Sequence, residues 1–347
     1  MVVIRPVREE DLEQLIELAG TAGFGLTSLP KDADLLGKRI AQSLRSFRIK
    51  PDAPGGELYL FVMEDPVTHR IVGTSCIVSK VGGFEPFYAY RIKTSVHESS
   101  ALDIRTEIPT LHLVVAHSGP CEIGGLFLSP DYRKHGNGRL LSLFRFLFMA
   151  EHPGSFEPLV IAEMRGVVDE DGHSPFWEAL GRHFFDMEFP KADYLSVKDK
   201  RFIADLMPQS PIYIPLLEKG AQEVIGRVHS STKPALKMLQ NEGFKYTGMV
   251  DIFEAGPIIS CRLEEIRIVR ESRNTTVEEI EAGEIESEQF IVTSTVEEFR
   301  ATMGPAQILP GGGVRLTEPV AEVLHVGQGD RVRIGPVRPS APPLEKE

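Results

Sequence analysis

The run Arg133-Lys134-His135-Gly136-Asn137-Gly138-Arg139 gathers basic side chains around two glycines one residue apart. Glycines so placed let the backbone turn tightly and leave N–H groups exposed at the start of a helix. Unpaired N–H groups and the helix dipole together hold an anion, and Arg133, Lys134 and Arg139 add positive charge. A pyrophosphate suits such a loop. The competing reading is a glycine turn with solvated basic residues, because glycine pairs are common turn signals. The flanks decide between them. Leu126-Phe127-Leu128, bounded by Gly124-Gly125 and Ser129-Pro130, reads as a short buried strand. Leu140 to Met149 is apolar nearly all round, as a buried helix is. The dinucleotide fingerprint does not fit, since no third glycine stands in place and no acidic ribose ligand follows. A P-loop would need Gly-Lys-Ser/Thr, which is absent.

The elements that must position this loop follow from the pattern upstream. Val2-Val3-Ile4 reads as a strand and Arg8 to Ala19 as an amphipathic helix with acids in its first turn. Gly23 to Pro30 reads as a loop, Asp34 to Phe47 as a second helix, and Leu58 to Glu64 and Ile71 to Ser79 as strands joined by a turn. Downstream, Pro158 to Met164 is a buried strand and Ser174 to Phe185 a helix with Ser174 as N-cap. Ser231 to Glu242 is a helix closed by Gly243. From Glu264 the charge rises. The short β-like runs 290–292, 306–309, 314–316 and 331–334 then predict a small β-rich part.

Composition sets outer bounds. With 347 residues, 42% hydrophobic and 25% charged, the chain is of ordinary globular type and long enough for two or three domains. A formal charge of −12 argues against nucleic acid as a partner. Cys76, Cys121 and Cys261 are scattered, so neither a metal site nor a disulfide framework is expected, and a reducing cytoplasm fits. No apolar run approaches membrane-spanning length.

The strand-loop-helix resembles the acyl-CoA-binding segment of the GCN5-related N-acetyltransferase superfamily. That resemblance implies loop amides on the pyrophosphate of coenzyme A, with the preceding strand beside the pantetheine. The expected fold is α+β (mixed α/β), a sheet of that superfamily's kind flanked by helices. A second α/β part and a small β-rich C-terminal subdomain extend it. Residues 1–200 are expected to bind acyl-CoA and 201–262 to complete the catalytic core. Residues 263–337 are expected to form the β-rich subdomain and 338–347 a tail.

Longer runs are similar to the arginine N-succinyltransferase family, which includes the arginine/ornithine succinyltransferase subunits. They are IRPVREEDL, GLTSLP, EPFYAYR, IPTLHL, LFLSPDYRKHGNGRLLS, AEMRGVVDEDGHSPFWEALGRHFF, FIADLMPQSPIY, VIGRVH and EGFKYTGMVDIFEAGP. Together they span most of residues 1–257, while the C-terminal part matches weakly. Val114 to Ser118 and Cys121 to Gly125 depart from the family pattern. The resemblance implies transfer of succinyl from succinyl-CoA to the α-amino group of L-arginine in arginine catabolism, with ornithine as a competing amine. A related acyltransferase with another acyl group or amine, and a non-catalytic CoA-binding subunit, stay open as alternatives.

Site residues follow from the same match. His229, in Val224-Ile225-Gly226-Arg227-Val228-His229, matches the family's proton donor, and Leu126 its succinyl-CoA-binding leucine. The CoA site is expected to comprise Leu126, Phe127, Leu128, Arg133, Lys134, Gly136, Asn137 and Gly138. Arg91 and Arg165 are candidates for the succinyl carboxylate, because a guanidinium fork pairs both carboxylate oxygens. Glu163 and Asp251 are candidates for the arginine side chain. Ordinary salt bridges are the competing reading for all four. Tyr88, Tyr90 and Trp177 read as core, and Cys121 lacks the partners of a nucleophile. No metal and no cofactor beyond succinyl-CoA as co-substrate are expected, and a homo- or hetero-oligomer of related subunits is.

Overall fold

The computed structural model describes residues 1–22, 28–49 and 51–339. Most of the expected loop over Gly23 to Pro30 and most of the 338–347 tail lie outside the described residues. The chain opens with strand β1 (Val3–Pro6), helices α1 (Leu12–Gly20) and α2 (Ala33–Ile49), and the hairpin β2 (Leu58–Asp65) and β3 (Arg70–Val78). Arg5 locks these pieces together: its guanidinium grips Asp11 in a bidentate pair at 2.8 and 2.9 Å and donates to Glu64 at 2.6 Å. All three side chains are largely out of water, so the pair is held by geometry that solvent does not loosen.

Two long strands follow, β4 (Phe87–Ser99) and β5 (Ile104–Ala116), paired along their full length as an antiparallel ribbon. Sequence pattern does not announce them, because the outer half of the ribbon is exposed on both faces and carries no apolar alternation. Next come β6 (Cys121–Leu128), α3 (Asn137–Glu151) and β7 (Leu159–Glu163). The glycines 124–125 lie inside β6 and do not bound it. Gly125, at φ +60°, makes a bulge that shifts the register against β3 between Thr74 and Cys76.

Ser174 caps its helix as expected, its Oγ accepting from the Trp177 N–H. The segment then makes a π-helical turn (Trp177–Gly181) before α4 (Arg182–Phe185), where a regular helix was predicted. The indole lies against Gly181, where an added Cβ would stand 2.3 Å from the ring, and its N–H donates to Met187 O. Helices α5 (Phe189–Lys198) and α6 (Arg201–Leu206), strand β8 (Ile212–Tyr213), and helices α7 (Lys219–Val224) and α8 (Lys233–Asn241) lead to β9 (Lys245–Val250) and β10 (Pro257–Arg262). Gly243 ends α8 as predicted, at φ +108° with Phe244 N–H bonded to Leu239 O.

The C-terminal part contains α9 (Arg267–Glu271), β11 (Arg273–Glu281), β12 (Gln289–Ser294), β13 (Arg300–Ile308), β14 (Val314–Thr317), α10 (Glu318–Leu324) and β15 (Arg331–Pro336). The four predicted β-runs are strands. β11 and α10 escaped the sequence pattern, β11 because its glutamates face water while only Thr275 and Val277 turn inward. The order β12-β15-β11-β14-β13 closes on itself through β12–β13, so these strands form a small barrel. β13 also touches β1 at Ile4↔Ala301, which joins the barrel to a sheet ordered β1-β2-β3-β6-β7-β10-β9-β4-β5-β8. Helix α3 packs on one face of that sheet, where Phe61 meets Phe144 and Phe148 at 4.9 and 5.0 Å, and α1 and α2 cover the other. Among the described residues no helix is long and apolar enough to cross a membrane.

Candidate active site

β6 and β7 run parallel but share only the pairs Cys121↔Val160 and Glu122↔Ile161. Beyond Glu122 the strands lose contact, and a cavity of about 1510 Å³ lies between the facing segments Ile123 to Leu128 and Ala162 to Arg165. The glycine loop closes one part of this cavity. Gly136, at φ +80°, caps α3, and His135 also takes a positive φ of +51°. Among the described residues the N–H groups of His135, Gly136 and Gly138 have no backbone partner. They are the orphan donors that the sequence predicted.

The loop's side chains divide by role. Asn137 is buried and its amide donates to Tyr132 O at 3.0 Å, so it staples the loop from behind. The Arg133 Nε is tied to Leu128 O at 3.0 Å and its guanidinium stands over the Phe127 ring. Lys134 is exposed above Tyr132. Leu126, Phe127 and Leu128 line the cavity beside the loop, as do Arg133, Lys134, Gly136, Asn137 and Gly138. The eight residues expected to hold CoA are therefore brought together.

Another part of the cavity is acidic. Glu163 ends β7, Asp251 and Glu254 come from the β9–β10 connection, Asp193 from α5, and Glu122 from β6. Two glycines let the β7 and β9–β10 backbones touch. A Cβ on Gly166 would stand 2.2 Å from Glu254 O, and one on Gly256 2.0 Å from Met164 O. The Gly166 N–H donates to Glu254 Oε1 at 2.7 Å, while Asp251 Oδ1 accepts from the N–H groups of Phe253 and Glu254. Burial pushes all five carboxyls up, and repulsion from neighbouring acids adds to it at Asp193, Glu254 and Glu163. Asp193 rises to about 7, from burial first and Asp251 second. Glu254 rises to about 8 from the same two causes. Glu163 rises well above its ordinary value, from burial, then Glu122 and Asp251. Its carboxylate opens into the cavity interior. Arg165 and Lys200 are the cations that line the same region.

His229 does not itself line the cavity, but it adjoins Ser231 and Arg165, which do. Its N–H donates to Arg165 O at 2.9 Å, which ties it to the segment following β7. Its Nδ1 meets Ser231 Oγ at 2.7 Å and accepts from the Ser231 N–H at 3.2 Å. A ring whose Nδ1 accepts a backbone N–H carries its neutral-state proton on Nε2. Burial first, and the Arg165 charge second, lower its pKa, so near neutrality the neutral ring dominates.

Arg91 does not belong to this assembly. Phe87 to Tyr90 are buried on both faces of β4, and Arg91 is the first exposed residue after them, with its guanidinium against Met249 Sδ. It does not line the cavity. Tyr90 and Trp177 are core, as read, while Tyr88 reaches the cavity edge. Cys121 is buried and its thiol is held well above its ordinary pKa, so it is no nucleophile. Sequence reasoning missed Arg39, Glu122, Arg145, Asp193, Lys200 and Glu254. Only Arg145 left a signal, as the one charge within the apolar run Leu140 to Met149.

Comparison with known proteins agrees with this geometry. The family model described as arginine N-succinyltransferase beta subunit matches residues 2–268, and the model of its C-terminal domain matches 273–336. The chain is 44% identical over 342 residues to an arginine N-succinyltransferase of Yersinia pestis, covering 96% of this chain and 97% of that one. It is 45% identical over 338 residues to the arginine N-succinyltransferase subunit beta of Pseudomonas aeruginosa, covering 97% and 98%. The solved structure of arginine/ornithine succinyltransferase subunit AI from Pseudomonas aeruginosa superposes with a TM-score of 0.89 at 37% identity, over 97% of this chain and 99% of that one. With a matching model over most of its length, and a cavity that pairs a helix start bearing free N–H groups with an acid cluster, this chain belongs to the arginine N-succinyltransferase family.

Proposed function

We propose that this acyltransferase moves the succinyl group of succinyl-CoA to the α-amino group of L-arginine. One observation carries the reading: a single cavity runs from free N–H groups at the start of α3 to a cluster of desolvated carboxyls. The first feature suits the pyrophosphate of CoA. The second suits a guanidinium, whose planar fork matches carboxylate geometry, and Glu163 and Asp251 are the acids assigned to it.

A thioester is already activated, so the chain needs no covalent nucleophile. The substrate ammonium must first shed a proton, and Asp193 and Glu254 titrate near neutrality, which suits a general base. As nitrogen attacks the carbonyl carbon the C–N bond forms and the C–S bond breaks. His229 gives its Nε2 proton to the leaving sulfur, while the exposed Ser231 hydroxyl relays a replacement from solvent to Nδ1. The amide nitrogen releases its second proton to solvent, which balances the one taken up.

The test is thiol release from succinyl-CoA with a panel of amines. Arginine is expected to give the highest kcat/KM, ornithine less, and amines without a cationic side chain least. CoA binding without thiol release from any amine would leave a non-catalytic CoA-binding subunit as the better reading.

A further inference from the structure

Arg145 is 2% exposed, yet it lines the cavity. Its Nε donates to Ser142 O at 2.9 Å, its Nη2 to Ser142 Oγ at 3.1 Å, and its Nη1 reaches Gly124 O at 3.4 Å. All three acceptors are neutral, and no carboxylate pairs with it among the described residues. Burial lowers its pKa only to about 10, so it is a cation at neutral pH. A buried cation without a counter-ion is costly to keep. A fold that retains one at a cavity wall has a place for an anion.

A second guanidinium shares that wall. Arg39, on α2, lines the cavity and has a buried Nε with no partner. The fields of both arginines reach the Cys76 thiol. Cys76 Sγ sits beneath the β6 bulge, 3.8 Å from where a Cβ on Gly124 would stand and 2.9 Å from one on Gly125. The two arginines therefore converge on the bulge from α2 and α3. Glu122 stands at the bulge too, its Oε1 3.7 Å from where a Cβ on Gly124 would stand. Burial pushes its pKa up against the pull of Lys200 and Arg39, so the neutral form is favoured and it makes no ion pair with either arginine. Arg165, one of the two sequence candidates, lies instead among Asp193 and Glu254, whose carboxyls compete for it.

We propose that Arg39 and Arg145 form the clamp for the terminal carboxylate of the acyl group, and so select a dicarboxylic acyl-CoA. The proposal rests on the succinyl-transfer reading above. The thioester must lie between the glycine loop and the acid cluster, which places its carbonyl beside β6. A four-carbon acyl chain then directs its far end toward the bulge, where the guanidiniums supply paired donors.

The test compares succinyl-CoA with butyryl-CoA, which has the same chain length and a methyl group in place of the carboxylate. Wild type is expected to prefer succinyl-CoA; no preference would end the succinyl reading and the clamp together. In Arg39→Met and Arg145→Met the succinyl/butyryl ratio of kcat/KM is expected to fall by roughly 30- to 4,000-fold, the range for losing one partner of a buried charge pair, with CoA affinity unchanged. A wild-type preference that survives in folded Arg39→Met and Arg145→Met overturns the clamp and leaves succinyl transfer standing. Should Arg145→Met not fold, Arg39→Met decides, since Arg39 is only half-buried. Arg165→Met is expected to keep the ratio, and loss of the ratio there alone would move the clamp to Arg165.

Discussion

In the proposed reaction His229 and the acid cluster divide the proton chemistry. His229 takes its orientation from Ser231 and from Arg165 O, so replacing the ring leaves the CoA loop untouched. His229→Ala is expected to bind CoA normally and to lose about 10²- to 10⁴-fold in turnover, the usual share of general acid–base catalysis. Turnover near wild type, measured beside a CoA titration, would return this histidine to a capping role. The acids make a second prediction through linkage. Asp193 and Glu254 have folded-state pKa values of about 7 and about 8, against ordinary values of 3.8 and 4.5. Between those limits the folded state holds more protons than the unfolded one, so stability falls as pH rises from about 4 toward 8. The melting temperature of the free protein is expected to drop across that interval. Asp193→Asn should flatten the lower part of the slope, and added arginine should raise the melting temperature more at pH 8 than at pH 5. A flat profile in wild type would mean that these acids are not strained.

The strand-loop-helix works because each glycine does a different thing. Gly136 must be glycine: its φ is +80°, and a Cβ there would stand 2.7 Å from the Met303 methyl carbon of β13. The barrel thereby backs the anion loop. Gly138 is already helical and has open space, with Leu128 Cδ2 at 4.0 Å as the nearest neighbour of an added Cβ. Gly138→Asp should therefore fold normally while placing a negative charge where a phosphate approaches. We expect CoA affinity to collapse with an unchanged melting temperature. An unchanged CoA titration in that variant would remove the loop from the binding site.

At the scale of the molecule, one buried ion pair links the end of α8 to the barrel. Glu242, 3% exposed, accepts from Arg267 at 2.6 and 3.1 Å and from the Ile268 N–H at 2.9 Å. Arg267 also donates to Pro336 O at the end of β15. Removing Glu242 leaves the Ile268 N–H without its acceptor and Arg267 with only the half-buried Glu271, at 2.9 Å, as a carboxylate partner. Glu242→Ala is expected to destabilise by about 1.5–3 kcal/mol, the range for losing hydrogen bonds to a charged group, read as a lowered urea midpoint. Loss near zero would show that barrel and sheet are held by apolar packing alone. Ala301, Phe299 and Met303 do pack into the core beneath α3, so that outcome has a definite physical meaning.

Local chemistry is what a sequence can determine, and here it determined a good deal. The glycine spacing, the basic flank and the apolar helix 140–149 specify an anion-binding helix start without reference to any other part of the chain. Gly243 and Ser174 likewise mark helix ends by their own side-chain or backbone properties. The runs shared with the succinyltransferase family added His229, which spacing alone would have left as a cap. Tertiary structure decided everything that depends on which strands separate. Asp193, Glu254 and Glu122 look like solvated acids in the sequence, and they become a site only because β6 and β7 part beyond Glu122. Arg91 and Arg165 were both candidate guanidiniums until β4, buried as far as Tyr90, left Arg91 exposed where the strand runs out of the core. Arg39 and Arg145 stand 106 positions apart in number (145 − 39), and only the packing of α2 and α3 on opposite faces of the sheet, with the β6 bulge between them, brings both to one wall. Desolvation is the reason for the difference: it is a property of surroundings, and surroundings exist only after the chain has folded.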